Sequence, residues 1–535
     1  MTRHARFGAL CALLLAFSLL PAVAGAAPSN NACLNRNLNT TTKLLSCVDA
    51  DDVFVHLAAF QAIADANGGT RASGTPGYDA SADYVADLLE DAGFDVERQV
   101  FDFSLFSENS SSLTADGVPI ETQTMSFSGS GTITSGNVIP VDLDLGLGNT
   151  STSGCEVADF VGPDWSGSND IALIQRGTCA FGLKAVNAQA AGAEAVIIFN
   201  QGNTAAPARQ DIIGGTLGEG VVGVLTIPVL DTSYSDGLVV LDATTVDLAA
   251  DTTIVTSTTE NVIGDLPGVN PDNVVMAGAH LDSVGEGPGI QDNGSGSSAI
   301  LAVALALGNN KKYTPTNSLR FAWWGAEESG LIGSEQYVFN PDFGLTQEEY
   351  DALALYLNFD MVGSPNFIYG VYDADESTFP APVFIPPGSA ELEDLFEAYY
   401  SDNNIPYEDS EFSGRSDYQA FIDVGIPASG LFTGAEGIKT EEQAGIWGGT
   451  AGDQYDPCYH LACDTFDNVS VEAIEVNVDA VGYAIFNLAA STEAINGVPG
   501  SSLPGRGPDD VAIDGPQGTF LSGGGSHIDH GQASE

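Results

Sequence analysis

Basic residues are the scarcest charged groups of this chain. Fifteen lysines and arginines stand against 72 aspartates and glutamates, which gives a net charge of −57 over 535 residues. Nucleic-acid binding needs a basic face and docking on anionic lipid needs a basic cluster, so the composition argues against both. The acidity fits a protein kept soluble in salty surroundings, or simple drift of an exported surface, and it does not indicate a fold.

Long apolar runs are also missing, apart from one at the N-terminus. Arg3 and Arg6 precede an apolar stretch at 7–20, and small residues follow at 22–26. This order is typical of a secretory signal peptide, and the run is short for a membrane anchor. We therefore expect residues 1–26 to be removed, and the mature chain to be secreted or periplasmic and free of the membrane.

Cysteine is sparse and lacks the spacing of a zinc finger. There are seven cysteines and no Cys-x-x-Cys motif, and Cys11 lies within the predicted signal. An even number of the remaining cysteines in an exported chain indicates disulfides, with binding of zinc by cysteine as the weaker alternative. Neighbouring pairs are the simplest of the roughly fifteen connectivities; they are Cys33–Cys47, Cys155–Cys179 and Cys458–Cys463.

Histidine is scarce too, with six in the chain, and only His280 and His460 stand in a context that favours function. His280 ends an apolar run and is followed by Asp282, although a buried, hydrogen-bonded core histidine is the alternative. Imidazole and carboxylate are the ligands that zinc prefers, and two imidazoles with several acids can hold two ions. The candidate set is His280, Asp292, Glu327, Glu328, Asp360 and His460.

Strands and helices alternate from about residue 260 onward, which is typical of an α/β sheet. The apolar strands predicted at 274–279, 318–324 and 353–359 each lead into a candidate ligand, with helices predicted at 297–307 and 331–339 between them. In such sheets, ligands bind at the carboxyl ends of the strands. The predicted fold is α/β, a mixed, mostly parallel β-sheet flanked by helices.

The segment 126–255 differs in composition, being rich in Gly, Thr, Ser and Val. Its IALIQRGTCAF signature at 171–181, followed by a predicted helix at 184–191 and strand at 195–200, resembles the protease-associated domain. This resemblance implies an inserted β-rich module that acts either as a lid over the substrate or as a stabilising insertion. The full predicted organisation is a signal peptide 1–26, an N-terminal part of the main domain 27–125, the inserted protease-associated domain 126–255, the rest of the main domain 256–495 with the candidate zinc ligands, and a disordered or removable tail 496–535.

The main domain contains five motifs: GAHLDS at 278–283, GIQDNG at 289–294, WWGAEESGL at 323–331, NFDM at 358–361 and CYH at 458–460. These motifs resemble those of the secreted co-catalytic di-zinc aminopeptidases, of the bacterial leucyl aminopeptidase or aminopeptidase Y type. They occur in order and cover the candidate ligands. The resemblance extends over most of residues 50–125 and 256–490, and it implies the zinc exopeptidase fold.

The resemblance implies a role for each candidate. Asp292 would bridge two zinc ions, with His280 and Asp360 completing one site and Glu328 and His460 the other. Asp282 would accept the free ring N–H of His280, as carboxylates behind ligand imidazoles do. Glu327 would act as general base and Tyr459 as the donor to the oxyanion. The weaker candidates for substrate binding are Arg415, for which pairing with Asp417 is an alternative, and Phe432, for which core packing is an alternative.

The sequence therefore predicts an exported zinc aminopeptidase that removes apolar, leucine-like residues from peptides with a free N-terminus, and that is a monomer. Cobalt or manganese could replace zinc on ligand type alone. Calcium is possible but has no support in the sequence. The competing interpretations are a carboxypeptidase of the same fold, a one-zinc glutaminyl cyclase and a non-catalytic receptor-like relative.

Overall fold

The structure, a computed structural model, describes residues 32–204, 209–379, 381 and 383–500. The predicted signal peptide and all but the first five residues of the predicted tail lie outside this part of the chain. Within the described residues, no helix combines the length and apolarity needed to cross a membrane.

Helices and strands alternate along the described chain. The helices are α1 Thr41–Leu45, α2 Ala50–Ala66, α3 Pro76–Ala92, α4 Phe181–Ala191, α5 Tyr234–Asp242, α6 Gly294–Gly308, α7 Ile332–Phe339, α8 Gln347–Ala352, α9 Ser389–Asn403, α10 Tyr418–Asp423, α11 Glu441–Trp447, α12 Val471–Ala490 and α13 Glu493–Asn496. The strands are β1 Asp95–Ala115, β2 Val118–Ile120, β3 Gln123–Thr124, β4 Gly131–Val141, β5 Asp170–Gln175, β6 Ala195–Phe199, β7 Val229–Thr232, β8 Val246–Leu266, β9 Asn270–His280, β10 Asn317–Trp324, β11 Leu353–Phe359, β12 Gly370–Tyr372, β13 Glu408–Ser410 and β14 Ala428–Phe432.

The main domain is built on a mixed sheet with the order β13-β12-β14-β11-β9-β10-β8. Its centre is parallel: β9 pairs with both β10 and β11, and β11 pairs with β14. Every residue of β11 is buried, because helices cover both faces. One core includes residues of α2, α6 and α12 and the other includes residues of α7 and α10, so the predicted helix-flanked α/β fold is confirmed.

Helix α3 begins earlier than the sequence predicts. The glycine-rich stretch at 68–77 suggests a turn with a helix from 81, whereas the helix starts at Pro76. The Thr75 side chain accepts a hydrogen bond from the Tyr78 amide, and proline is favoured in the first helical turn because it has no N–H to leave unpaired. A threonine cap and a proline at the first helical position therefore outweigh the glycines.

A long antiparallel ribbon of β1 and β8 connects the two halves of the molecule. The strands pair from Asp95 with Asp265 to Ala115 with Val246, each 21 residues long. At one end β8 joins β10 of the main sheet, and at the other it joins β4 of a second sheet. The ribbon is consequently shared by both domains.

The second domain carries the parallel order β4-β5-β6-β7, with α4 and α5 packed beside it. Strand β3, which lies just before residue 126, pairs with β7 of this sheet. The boundaries at 126 and 255 stay predictions. The three neighbouring cysteine pairs are bonded in the structure, with S–S distances of 1.98, 2.02 and 2.06 Å.

Candidate active site

The candidate metal ligands meet at the carboxyl edge of the parallel strands. His280 is the last residue of β9, Glu327 and Glu328 follow β10, and Asp360 follows β11. The β9–β10 register places Trp324 opposite His280, so both strands end at the same level. Because parallel strands share one carboxyl edge, the sequence pattern brings these side chains together.

The first group of ligand atoms is centred on His280, which is buried. Its Nε2 atom lies 3.3 Å from Asp292 Oδ1 and 3.2 Å from Asp360 Oδ1. One imidazole and two carboxylates that offer ligand atoms within 4.8 Å of one another are able to hold one metal ion.

The second group shares Asp292 with the first. His460 Nε2 lies 3.3 Å from Asp292 Oδ2 and 3.1 Å from Glu328 Oε2. The two oxygens of Asp292 therefore face different histidines. The buried Glu328 Oε1 has no hydrogen-bond partner, which is costly for a carboxylate unless a cation satisfies it. The residues thus fit a pair of metal sites joined by one carboxylate.

The titration of these groups reflects the crowding of charge. Burial opposes ionisation of Asp292, yet hydrogen bonds to His280 and His460 hold its pKa well below the usual range. Burial likewise lowers the pKa of His280, but Asp360 and Glu327 outweigh it and raise the net pKa well above the ordinary value. Positive charge at the centre is strongly favoured, which is the property a dication would use.

Asp282 contacts both the His280 ring and the backbone of Glu327. Its Oδ1 atom lies 3.6 Å from His280 Nδ1 and accepts a hydrogen bond from the Glu327 backbone N–H at 3.2 Å. The Asp282 carbonyl oxygen is nearer to the His280 ring, at 3.2 Å. The contact with the Glu327 amide was not predicted; it fixes the loop that carries the candidate base.

Glu327 lies beside the centre and its Oε2 atom is 3.9 Å from His280 Nε2. Burial raises the pKa of Glu327 well above its usual range, with Asp417, Asp360 and Glu328 adding to the rise and His280 opposing it. A buried carboxyl group with this affinity for protons is suited to receive and return one.

Tyr459 and Arg415 form one side of the site. An Nη2 proton of Arg415 is donated to the Tyr459 hydroxyl oxygen at 3.2 Å, and Nη1 donates to Glu436 Oε1 at 2.9 Å. Since the guanidinium occupies an acceptor position of the phenol, the phenol proton can point elsewhere. The rings of Tyr459 and His460 stack at 3.9 Å within the loop closed by the Cys458–Cys463 disulfide.

Three supporting residues were missed by the sequence analysis. Arg71 is fully buried and its guanidinium donates to the carbonyls of Leu281, Pro288 and Gly289. Asp464 accepts from the backbone N–H groups of Gln291 and Asp292, at 2.8 and 3.0 Å, and burial, reinforced by Asp456, raises its pKa to about 8. Ser416 donates to Asp360 Oδ2 at 2.6 Å.

A cleft opens over the centre. Both weak candidates, Arg415 and Phe432, line it together with the candidate ligands. Apolar and aromatic side chains of the main domain, including Met361, Tyr372 and Tyr418, also line it.

Two further acidic groups outside the cleft have the spacing for a cation. The first consists of Asp373, Asp375 and Glu393. The second consists of Glu393, Glu397 and Asp409, so the two groups share Glu393. Acidic groups are common without any ion, so calcium binding stays untested.

Both domains of this chain are similar in sequence to known proteins. Residues 261–485 match Peptidase family M28, and residues 134–239 match the PA domain. An aminopeptidase of Pseudomonas aeruginosa is 45% identical over 86% of this chain and 84% of its own length. Leucine aminopeptidase 2 of Trichophyton rubrum is 37% identical over 91% of this chain and 92% of its own length.

Solved structures are similar as well. The aminopeptidase of Aneurinibacillus sp. strain AM-1 aligns with a TM-score of 0.63 and 25% identity, over 86% of this chain and 97% of that one. A zinc aminopeptidase from Bacillus subtilis aligns with a TM-score of 0.56 and 25% identity, over 82% of this chain and 95% of that one.

Fold and site together define a zinc metalloexopeptidase. The chain belongs to peptidase family M28, as an aminopeptidase of that family with a PA domain inserted within it. The predicted family, fold class and enzyme class are thereby confirmed.

Proposed function

We propose that this protein is an exported aminopeptidase that uses two zinc ions to remove apolar, leucine-like residues from the free N-terminus of peptides. The observation that supports this most is the position of Asp292, whose two oxygens face His280 and His460 separately. A carboxylate shared in this way suits two cations held side by side. The leucine preference is suggested by the name of the Trichophyton rubrum relative.

His280, Asp292 and Asp360 would hold one ion, and Asp292, Glu328 and His460 the other. Two ions bound there would polarise the scissile carbonyl and make water a stronger nucleophile at neutral pH. Asp282 and Asp464 support this assignment, because the first contacts the His280 ring and the second holds the backbone N–H of Asp292.

Glu327 would accept the proton of the attacking water and return it to the leaving amine. Its raised pKa and its position next to the candidate ligands, with Oε2 3.9 Å from His280 Nε2, support this role. Tyr459 would donate its hydroxyl to the oxyanion; its place in the lining of the cleft, next to the candidate ligand His460, supports this role.

The substrate would bind with its amine near Asp360 and Glu327 and its first side chain among the aromatic groups of the cleft. Phe432, Tyr372 and Tyr418 offer an apolar wall on this side. Carboxylates for the amine and aromatic rings for the side chain match the ends of an N-terminal leucine.

Export is proposed from the charged and apolar pattern of residues 1–26 and from the three disulfides, which persist in oxidising compartments. The domain boundaries, the removable tail and the monomeric state remain part of the same proposal.

The test compares leucine p-nitroanilide with its N-acetylated form, with chelator and with restored zinc. We expect cleavage of the free-amine compound alone, its loss with chelator, and recovery as two zinc ions per chain are restored. Equal cleavage of the acetylated compound would contradict the aminopeptidase assignment. Full activity at one zinc per chain would contradict the two-metal mechanism.

A further inference from the structure

The inserted domain reaches the catalytic cleft. Phe106, Ser126, Phe127, Gly214 and Thr216 line the same cleft as the candidate ligands. Phe106 lies on the ribbon strand β1, and the other four lie on two loops of the inserted domain. The substrate of the main domain would therefore touch a surface that the ribbon and the inserted domain supply together.

This surface, the aromatic wall, consists of Phe106, Phe127 and the loops of Ser126 and Thr216, and direct contacts hold its parts together. The rings of Phe106 and Phe127 are 5.9 Å apart, and Phe127 is buried. The loops of Ser126 and Thr216 are joined through hydrogen bonds from the Ser126 N–H to the Gly215 carbonyl and from the Leu217 N–H to the Ser126 carbonyl, both at 3.0 Å. Two aromatic rings backed by paired loops present an apolar face of defined shape.

The wall is also fixed relative to the metal centre. Phe101 and Phe103 of the ribbon pack against Ala326 and Ile332, which flank the Glu327–Glu328 loop in the sequence. The ribbon also contacts the inserted domain, because the Ser104 N–H donates to Glu219 at 2.6 Å. The aromatic wall and the candidate base are thus held by one continuous set of contacts.

The order of strands decides which part of a peptide meets this wall. β9, with His280 at its end, lies between β11 and β10. Asp360 and Phe432, the groups for the substrate amine and first side chain, belong to the β11–β14 side. The ribbon lies on the opposite side, beyond β10. A peptide whose first residue occupies the β11–β14 side therefore continues across the centre toward the inserted domain.

We propose that Phe106, Phe127 and Thr216 form the binding subsite for the second residue of the peptide, and that they select apolar side chains there. This proposal rests on the proposed aminopeptidase function. It assigns the inserted domain a part in substrate selection. This role is neither purely that of a lid nor purely that of a stabilising insertion, the two roles that the sequence suggests.

The test uses leucinamide, which has no second side chain, beside Leu-Phe-amide and Leu-Glu-amide, with initial rates of leucine release. For Phe106→Ala we expect the ratio of kcat/KM for Leu-Phe-amide to that for leucinamide to fall about tenfold, the usual scale for loss of apolar contact in a pocket. The matched control is Phe339→Ala, because Phe339 is 54% exposed on α7, outside the cleft, and should leave the ratio unaltered.

A second variant, Phe106→Lys, should shift preference from Leu-Phe-amide toward Leu-Glu-amide, because the new cation attracts the glutamate. An unaltered ratio in both variants, or an equal fall for all three substrates, would overturn the subsite. Failure of the wild-type enzyme on leucinamide would instead contradict the proposed function itself, so the two failures are distinguishable.

Discussion

Glu327 and Glu328 are neighbours in the chain that face different partners. Glu328 Oε2 lies 3.1 Å from His460, while Glu327 Oε2 lies 3.9 Å from His280. Ala326, directly before the two glutamates, has a positive φ of 56°, which bends the backbone just after β10. Two adjacent carboxylates can in this way serve two functions, one as ligand and one as base.

Glu327→Gln should therefore remove activity and leave the metal in place. We expect kcat to fall by at least about 10²–10³-fold, since the amide keeps the shape but cannot accept the proton. The measurements are kcat on leucinamide and zinc content by atomic absorption. Glu328→Gln is the matched control and should lose zinc; if Glu327→Gln lost zinc to the same degree, Glu327 would be a ligand.

The candidate ligands could be selected from the sequence at this scale, whereas the residues that support them could not. His280 and Asp360 stand at strand ends, a local pattern that the sequence displays. Arg71 and Asp464 act on the 281–292 loop from about 210 and 170 positions away in the chain. Nothing local to either residue distinguishes it from a surface charge, so only the folded chain reveals its contacts.

At the scale of elements, the loop between β9 and α6 is held in place by Arg71. Three of its carbonyl groups accept hydrogen bonds from one buried guanidinium, which also lies 5.0 Å from the Phe60 ring. Burial lowers the pKa of Arg71 to about 10, with Asp282 and Asp464 opposing that fall, so the group stays charged at neutral pH. Its charge and its geometry both hold the loop that carries Asp292.

Arg71→Met should consequently weaken both the fold and the metal centre. We expect a loss of roughly 3 kcal/mol in the free energy of unfolding, because three carbonyls lose a charged donor. Zinc affinity should fall about 10–100-fold, as for other residues that orient ligands. Chelator titration measures the second effect; Arg71→Lys, which restores charge and one donor, should recover part of it, and equal zinc affinity in all three proteins would exclude the orienting role.

The loop at 213–217 of the inserted domain depends on a buried acid, Asp231. Its Oδ2 atom accepts the N–H groups of Gly214 and Gly215, at 2.8 and 3.3 Å. Burial nevertheless raises the pKa of Asp231 to about 7, outweighing these hydrogen bonds. Protonation of Asp231 therefore stabilises the fold, and this contribution is complete below the unfolded pKa near 3.8 and is lost as pH rises through about 7.

Asp231→Asn should flatten this dependence, because the amide does not titrate. As pH rises from 5 toward 7, the free energy of unfolding of the wild type should fall more steeply than that of the variant, by up to about 1.4 kcal/mol for each step of one pH unit. Differential scanning calorimetry between pH 5 and pH 8 is the measurement. The exposed Asp242→Asn serves as control and should keep the wild-type slope; identical slopes in all three proteins would contradict the role of Asp231.

The bounds of helices and strands match those predicted from the sequence where packing and local sequence signals agree. The strand at 353–359 is found as predicted because six of its seven residues are apolar and all seven are buried. Strand β1 extends to Ala115, although its apolar alternation ends at Phe103, because its partner β8 runs equally far and supplies hydrogen bonds to polar residues that a hydrophobic pattern does not mark. Pairing across about 150 residues thus set a length that periodicity could not.

For the whole molecule, the excess of acid is the dominant physical property. The net charge is −57 because few positive groups are present to balance the carboxylates. Each exposed carboxylate repels its neighbours over the screening length. That length is about 10 Å at 0.1 M salt and about 3 Å at 1 M. Repulsion within the folded chain should therefore depend strongly on ionic strength.

Raising NaCl from about 20 mM to about 1 M should raise the thermal midpoint by several degrees, because screening relieves the repulsion. The measurement is calorimetry of the zinc-loaded protein, with choline chloride as the matched salt. Equal rises in both salts would indicate screening. A rise with sodium alone would indicate specific cation binding, and no rise in either would contradict the repulsion argument.

The pairing of Ser104 with Thr256 in the ribbon bears on how this gene could have been assembled. Cross-strand neighbours of an antiparallel pair lie about 5 Å apart, so the chain leaves and re-enters the ribbon at nearly the same point. A tight two-residue turn could close that gap. The coding region for 105–255 can accordingly be acquired or discarded as a single cassette in one genetic event, without altering the register of the catalytic sheet.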